Sequence, residues 1–164
     1  MRDNKAGQSN RSKGGNRFQE TVHAKLEEFL ETSGLDARFT LLSAKKITIA
    51  VKIRGVEKTK VISPDHAICD KQTGAFLVFF GDKKSLRERW KEDDRDAILA
   101  KEAFPGCGWI ETTEQEHLDD SSVKIAKHLA GIWRQSEFDI LYSTALNDSK
   151  KAMFEWLKSY LTRR

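Results

Sequence analysis

The chain has 164 residues, 33% of them charged and 38% hydrophobic, with a net charge of +4. That length suits one domain with its own core, in no need of disulfides or metal staples. No apolar run approaches the ~18 residues of a membrane span, and the polar N-terminus lacks the apolar stretch of a secretory signal, so a cytoplasmic protein with no membrane partner is expected.

Residues 1–16, MRDNKAGQSNRSKGGN, are rich in Gly, Ser and Asn and offer a core nothing large after Met1. They read as a flexible basic arm, with Arg11 and Lys13 (and Arg17 just beyond) available to phosphates. Residues 17–164 then form the single folded domain. Its first helix is expected over about 17–33, with Phe18, Val22, Leu26, Phe29 and Leu30 on one stripe and Gly34 as its stop. "KITIAVKI" (46–53) alternates Ile47, Ile49, Val51 and Ile53, the period of a half-buried strand. "TKVIS" (59–63), "DHAIC" (65–69) and "AFLVFF" (75–80) are further strands, with Pro64 and "DKQTG" (70–74) as interruptions, and a meander is the simplest way to join them. Helical spacing resumes at 86 with Leu86, Trp90, Ala97 and Ile98 and stops at Pro105–Gly106. "GWIETT" (108–113) is another strand. A helix at about 119–135, a strand at 138–143 and a helix at 148–162 complete a mixed α/β domain, a central sheet flanked by helices.

The apolar run 75–80 ends in Gly81, Asp82, Lys83 and Lys84. If 65–69 and 75–82 pair as a hairpin, Asp65 falls opposite 80–82, and two acids distant in sequence become neighbours. By strand alternation Asp82 and Lys84 share a face and Lys83 points away. Two close carboxylates repel unless a cation lies between them, and a hard ion such as Mg²⁺ suits oxygen ligands. The backbone carbonyl of Lys83 is a candidate third ligand. Lys84 would stand beside an attacking water and offset the charge that builds on phosphorus. A solvated strand end explains the same triplet more simply.

Two further features favour the first reading. "SPD" (63–65) followed by "GDKKS" (81–85) resembles the Pro-Asp … Asp/Glu-x-Lys pattern of the PD-(D/E)xK nuclease superfamily. "SLRERW" (85–90) looks like the start of the helix after the catalytic lysine in a subset of type II restriction endonucleases. The resemblance covers roughly 17–113. It implies a restriction-endonuclease-like mixed β-sheet flanked by helices, Asp65 and Asp82 as metal ligands, and Lys84 as the catalytic lysine. It also implies a first-helix glutamate near the metal, for which Glu20 is the match. The implied activity is Mg²⁺-dependent hydrolysis of double-stranded DNA to 5′-phosphate and 3′-hydroxyl ends by a homodimer. Here the second acid is Asp rather than the commoner Glu, and the intervening residue is a lysine.

Lys83, Ser85, Arg87, Arg89 and Lys91 lie where they could meet phosphates or base edges, although Glu88, Glu92, Asp93 and Asp94 dilute that charge. His23, His66, His117 and His128 show no metal-ligand spacing. His66, as the strand neighbour of Asp65, is expected to face the other way and to be structural. Cys69 and Cys107 read as buried packing thiols. Trp156 and Tyr160 are surplus aromatics of the last helix, fitting either a dimer contact or extra core. A nuclease of repair, recombination or a mobile element, and a DNA-binding subunit that does not cut, remain alternatives on the same fold.

Overall fold

The computed structural model of the protein describes residues 2–43, 46–83, 90–114, 131–143 and 147–163, with backbone only for 2–16 and 147–149. Phe18, Val22, Leu26 and Leu30 recur every fourth residue, which places them on one side of a helix. All four are at most 3% exposed. The helix, α1, spans Arg2–Thr32, so the backbone of the expected arm continues it. It stops where expected: Gly34 adopts φ 71°, a left-handed conformation that glycine enters without a Cβ penalty.

The strands are β1 (Phe39–Ser43), β2 (Ile47–Ile53), β3 (Val56–Ile62), β4 (His66–Asp70), β5 (Phe76–Lys83), β6 (Gly108–Thr113) and β7 (Ile140–Ser143). The helices after β5 are α2 (Trp90–Ala103) and α3 (Asn147–Thr162). Residues 131–135 are helical, and the rest of the helix expected over 119–135 lies outside the described residues.

A mixed five-stranded sheet runs β1-β4-β5-β6-β7, and β2 and β3 form a separate two-stranded sheet. The simple meander is therefore corrected. β3 pairs only with β2, because Pro64 and the bend at Asp65 break the ladder before β4 begins. β1, which the sequence reading missed, takes the open edge of β4 instead. β4 and β5 are the expected hairpin. Asp70 Oδ1 organises its turn by accepting the N–H groups of Gln72 at 2.8 Å and Thr73 at 3.3 Å. β6 runs parallel to β5, as a helical crossover through α2 allows, and β7 runs parallel to β6.

Each face of this sheet has a core. One joins α1 and α3 to Ile68, Val78, Phe80 and Ile110. The other joins α2 and the β2–β3 hairpin to Ala67, Phe79 and Trp109. Cys69 and Cys107 are buried free thiols. Trp156 stacks on Tyr160, with ring centroids 4.8 Å apart, and its ring closes on Gly108, where a Cβ would come within 2.6 Å of it. The surplus aromatics thus serve the core of one chain.

Candidate active site

The hairpin register decides what meets. His66 pairs with Phe80, so Asp82 is the diagonal neighbour of His66 on the same face, and Asp65 sits just outside the ladder beside them. The Asp65 N–H donates to the Phe80 carbonyl at 2.8 Å. Its carboxylate accepts the Asp82 N–H at 2.7 Å through Oδ2, and the Gln19 side-chain N–H at 2.8 Å through Oδ1. The two acids, 17 residues apart in sequence, are in contact.

Asp82 is buried, and both of its carboxylate oxygens have partners. Thr112 Oγ1 donates to Oδ1 at 2.6 Å, and the His66 Nε2 position touches Oδ2. His66 Nδ1 lies 3.4 Å from His23 Nδ1, and His23 Nε2 is 3.0 Å from Glu27 Oε1. A chain of polar contacts therefore runs from the surface of α1 to the buried Asp82. His66 was expected to face away from Asp65. Both instead line one cavity, because Asp65 precedes the first residue of β4 and strand alternation does not constrain it. The cavity, about 320 Å³, is bounded by Gln19, Glu20, His23 and Glu27 of α1 and by Ser43, Asp65 and His66 of the sheet. Glu20, matched by position alone, opens onto this space.

Burial raises the Asp65 carboxyl from its ordinary 3.8 to about 6; the Asp82 N–H opposes that rise, the Asp82 charge adds to it, and the Lys83 charge subtracts from it. Solvation and protein dipoles thus leave the Asp65 charge only partly balanced, the condition in which a nearby cation is favoured. Two acids joined by the Asp82 N–H to the Asp65 carboxylate, with Asp65 bordering a cavity, supply the hard oxygen chemistry that suits Mg²⁺. Among the described residues, no three His, Cys, Asp or Glu side chains converge on one point for a metal. The side chains such an ion would draw on are Asp65, at the cavity, and Asp82 beside it.

On the opposite face of β5 lies a second polar group that the sequence reading did not single out. Gly81 pairs with Glu111, and a Cβ at Gly81 would come within 2.2 Å of Glu111 Oε1 and 2.6 Å of Asp93 Oδ2. Glycine is what makes room for these two buried acids. Burial raises the Glu111 carboxyl well above its usual value, and the neighbouring Asp93 adds to this. Burial also raises Asp93. Lys83 Nζ lies 3.5 Å from Asp93 Oδ1. Burial opposes its charge, yet Asp93, Asp65 and Glu111 hold its pKa above the ordinary value. The Lys83 ammonium, offered above as a phosphate contact, is thus committed to an internal ion pair. An acid in the middle of the apolar "GWIETT" was the one sequence signal for Glu111.

Of the other expected DNA contacts, Arg17 is exposed on α1 and Lys91 is exposed on α2. Lys84, Ser85, Arg87 and Arg89 lie outside the described residues, as do the side chains of Arg11 and Lys13. No described helix is long and apolar enough to cross a membrane. No protein-family model matches the chain, and no curated protein matches it.

Proposed function

We propose that this chain is a Mg²⁺-dependent endonuclease of restriction-endonuclease-like fold that hydrolyses phosphodiester bonds of double-stranded DNA, and that it acts as a type II restriction enzyme. One observation carries the reading: Asp65, which lines a cavity with Glu20, accepts the backbone N–H of Asp82, so the two acids of the Pro-Asp … Asp-x-Lys pattern are neighbours. The mixed sheet flanked by helices, with one acid on β5 and the other directly before the neighbouring β4, is also in keeping with the resemblance.

In this reading Asp65 and Asp82 hold the ion, together with the backbone carbonyl of Lys83. The ion supplies Lewis-acid polarisation of the phosphate and lowers the pKa of a bound water. Lys84 orients the attacking water and offsets charge on the pentavalent transition state. Water forms the new P–O bond and loses a proton. The bond to the 3′ oxygen breaks, and that oxygen gains a proton, leaving a 5′-phosphate and a 3′-hydroxyl. His66 and Thr112 fix the Asp82 carboxylate so that it need not reorganise. Gln19 does the same for Asp65. A homodimer with two-fold symmetry would cut both strands of a palindrome.

Incubating phage or plasmid DNA with the chain and Mg²⁺, with EDTA as control, tests the proposal. Discrete fragments that depend on the metal are expected. Smearing or random nicking would point to a repair, recombination or mobile-element nuclease. Retained DNA binding without cleavage under any divalent ion would reduce the chain to a binding subunit.

A further inference from the structure

The β2–β3 hairpin is built unlike the main sheet. β2 alternates buried and exposed residues, with Ile47, Ile49 and Val51 packed into the core that α2 shares. Along β3 only Ile62 is buried, while Val56, Glu57, Lys58, Thr59 and Val61 are exposed. A two-stranded ribbon is marginal by itself, and this one is anchored through one strand. Its turn is tight: Arg54 and Gly55 both take left-handed backbone, with φ 52° and 78°, the geometry that suits the twist of a two-residue hairpin.

Charge sets the ribbon apart as well. Residues 46–60 carry Lys46, Lys52, Arg54, Lys58 and Lys60 against Glu57, five cations less one acid, which equals the +4 of the whole chain. Among the described residues, none of the five has an ion-pair partner, whereas Arg38, Lys83, Lys101 and Lys151 each have one. Lysines on an edge strand deter strand addition, and both strands of this ribbon are edges, but Arg54 at the turn lies off both. A cleft of about 330 Å³ where the ribbon meets α2 gathers Lys60, Lys91 and Arg95 against Asp94. β3 then leads through Ser63, whose N–H donates to Asp96 Oδ2 at 3.0 Å, and Pro64 into Asp65. The ribbon, which packs on the α2 face of the sheet, is thus joined in sequence to Asp65, which borders the cavity on the α1 face.

We propose that the β2–β3 ribbon is the element that docks duplex DNA, seated in a groove with Lys52 and Arg54 on phosphates, while Lys58 and Lys60, which the register places across from Val51 and Ile49 on the α2-facing side, join Lys91 and Arg95 on the flanking backbone. The choice of DNA as the polyanion rests on the nuclease reading. A two-stranded ribbon fits a major groove about 12 Å wide. The outer face of this ribbon pairs Thr48 with Val61 and Ala50 with Thr59, short side chains that can approach base edges closely. The exposure of Val61, 49%, acquires a use in that arrangement.

Fluorescence anisotropy with a labelled duplex, on the full chain in EDTA, reads binding without cutting. The double variant Lys58→Ala/Lys60→Ala is expected to bind about tenfold more weakly and to lose about two from the slope of log affinity against log salt. Lys151→Ala/Lys158→Ala removes the same charge from α3 and is expected to leave both unchanged. Equal effects of the two double variants, no effect of the ribbon variant, or tighter binding of single strands than of duplex would overturn the proposal. So would a wild-type chain that binds no duplex. Ribbon-dependent binding without cleavage supports the ribbon and removes the nuclease reading, whereas cleavage with ribbon-independent binding removes the ribbon alone.

Discussion

Asp82 and Glu111 lie one pairing apart in the same sheet, on opposite faces, and the protein treats them oppositely. Asp82 faces α1, and each of its oxygens has a polar partner, Thr112 or His66. Glu111 faces α2, fully buried, with the Asp93 carboxylate as its neighbour, a partner it can bond only while it keeps its own proton. Satisfied dipoles around a carboxylate stabilise its charge, and burial without them favours the proton. One strand end therefore holds an acid whose two oxygens are held by polar partners and, behind it, an acid whose burial favours its proton.

Substitutions can break that contrast. The largest effect is expected at Asp82: Asp82→Ala should reduce the single-turnover cleavage rate by about a thousandfold, roughly 4 kcal/mol of transition-state stabilisation, with duplex binding in EDTA largely spared. Rates within tenfold of wild type would remove Asp82 from the site. Next comes Gly81→Ala. The new Cβ would press on Glu111 and Asp93, the buried acids, with separations of 2.2 and 2.6 Å before relaxation. A loss of about 3 kcal/mol in urea denaturation is expected, and an unchanged midpoint would show that the two acids move aside freely.

The pH dependence separates the faces further. Asp65 has a folded pKa of about 6 against an ordinary 3.8. Below 3.8 both states are protonated and the contribution to stability is full. Between 3.8 and 6 the folded state keeps a proton that the unfolded chain has released, so stability falls as pH rises. Asp65→Asn should flatten that decline, roughly 2 kcal/mol after solvent screening; an identical curve for wild type and variant would contradict the shift. The smallest effect is at Glu111. Its pKa is also raised, so its contribution is complete at acid pH and is lost as pH climbs through the folded value. Glu111→Gln cannot ionise, and a gain of about 1 kcal/mol at alkaline pH is expected by thermal melting, against none if the acid already has a partner.

Much of this was legible in the sequence because it is local. The spacing of Phe18, Val22, Leu26 and Leu30 and the alternation of 47–53 each fix an element without knowledge of its neighbours. The Asp65–Asp82 contact was legible because a five-residue turn constrains hairpin register so tightly. β1 escaped notice because its burial follows no period, running from buried Phe39 through three half-buried residues to exposed Ser43. His66 on Asp82 is a diagonal contact and needs the register before it can be seen. Glu111 meets Gly81 only through the parallel crossover by way of α2, a pairing that no local pattern in "GWIETT" encodes.

The central claim is that Asp65 and Asp82 share a divalent cation. The carboxyl ¹³C resonance of Asp65, followed through a pH titration with and without Mg²⁺, tests it directly. Without the ion a midpoint of about 6 is expected. With Mg²⁺ the midpoint should drop by more than about one unit, since a neighbouring cation favours the charged form, and Asp82→Asn should cancel most of that drop. The same midpoint with and without Mg²⁺ would contradict the account.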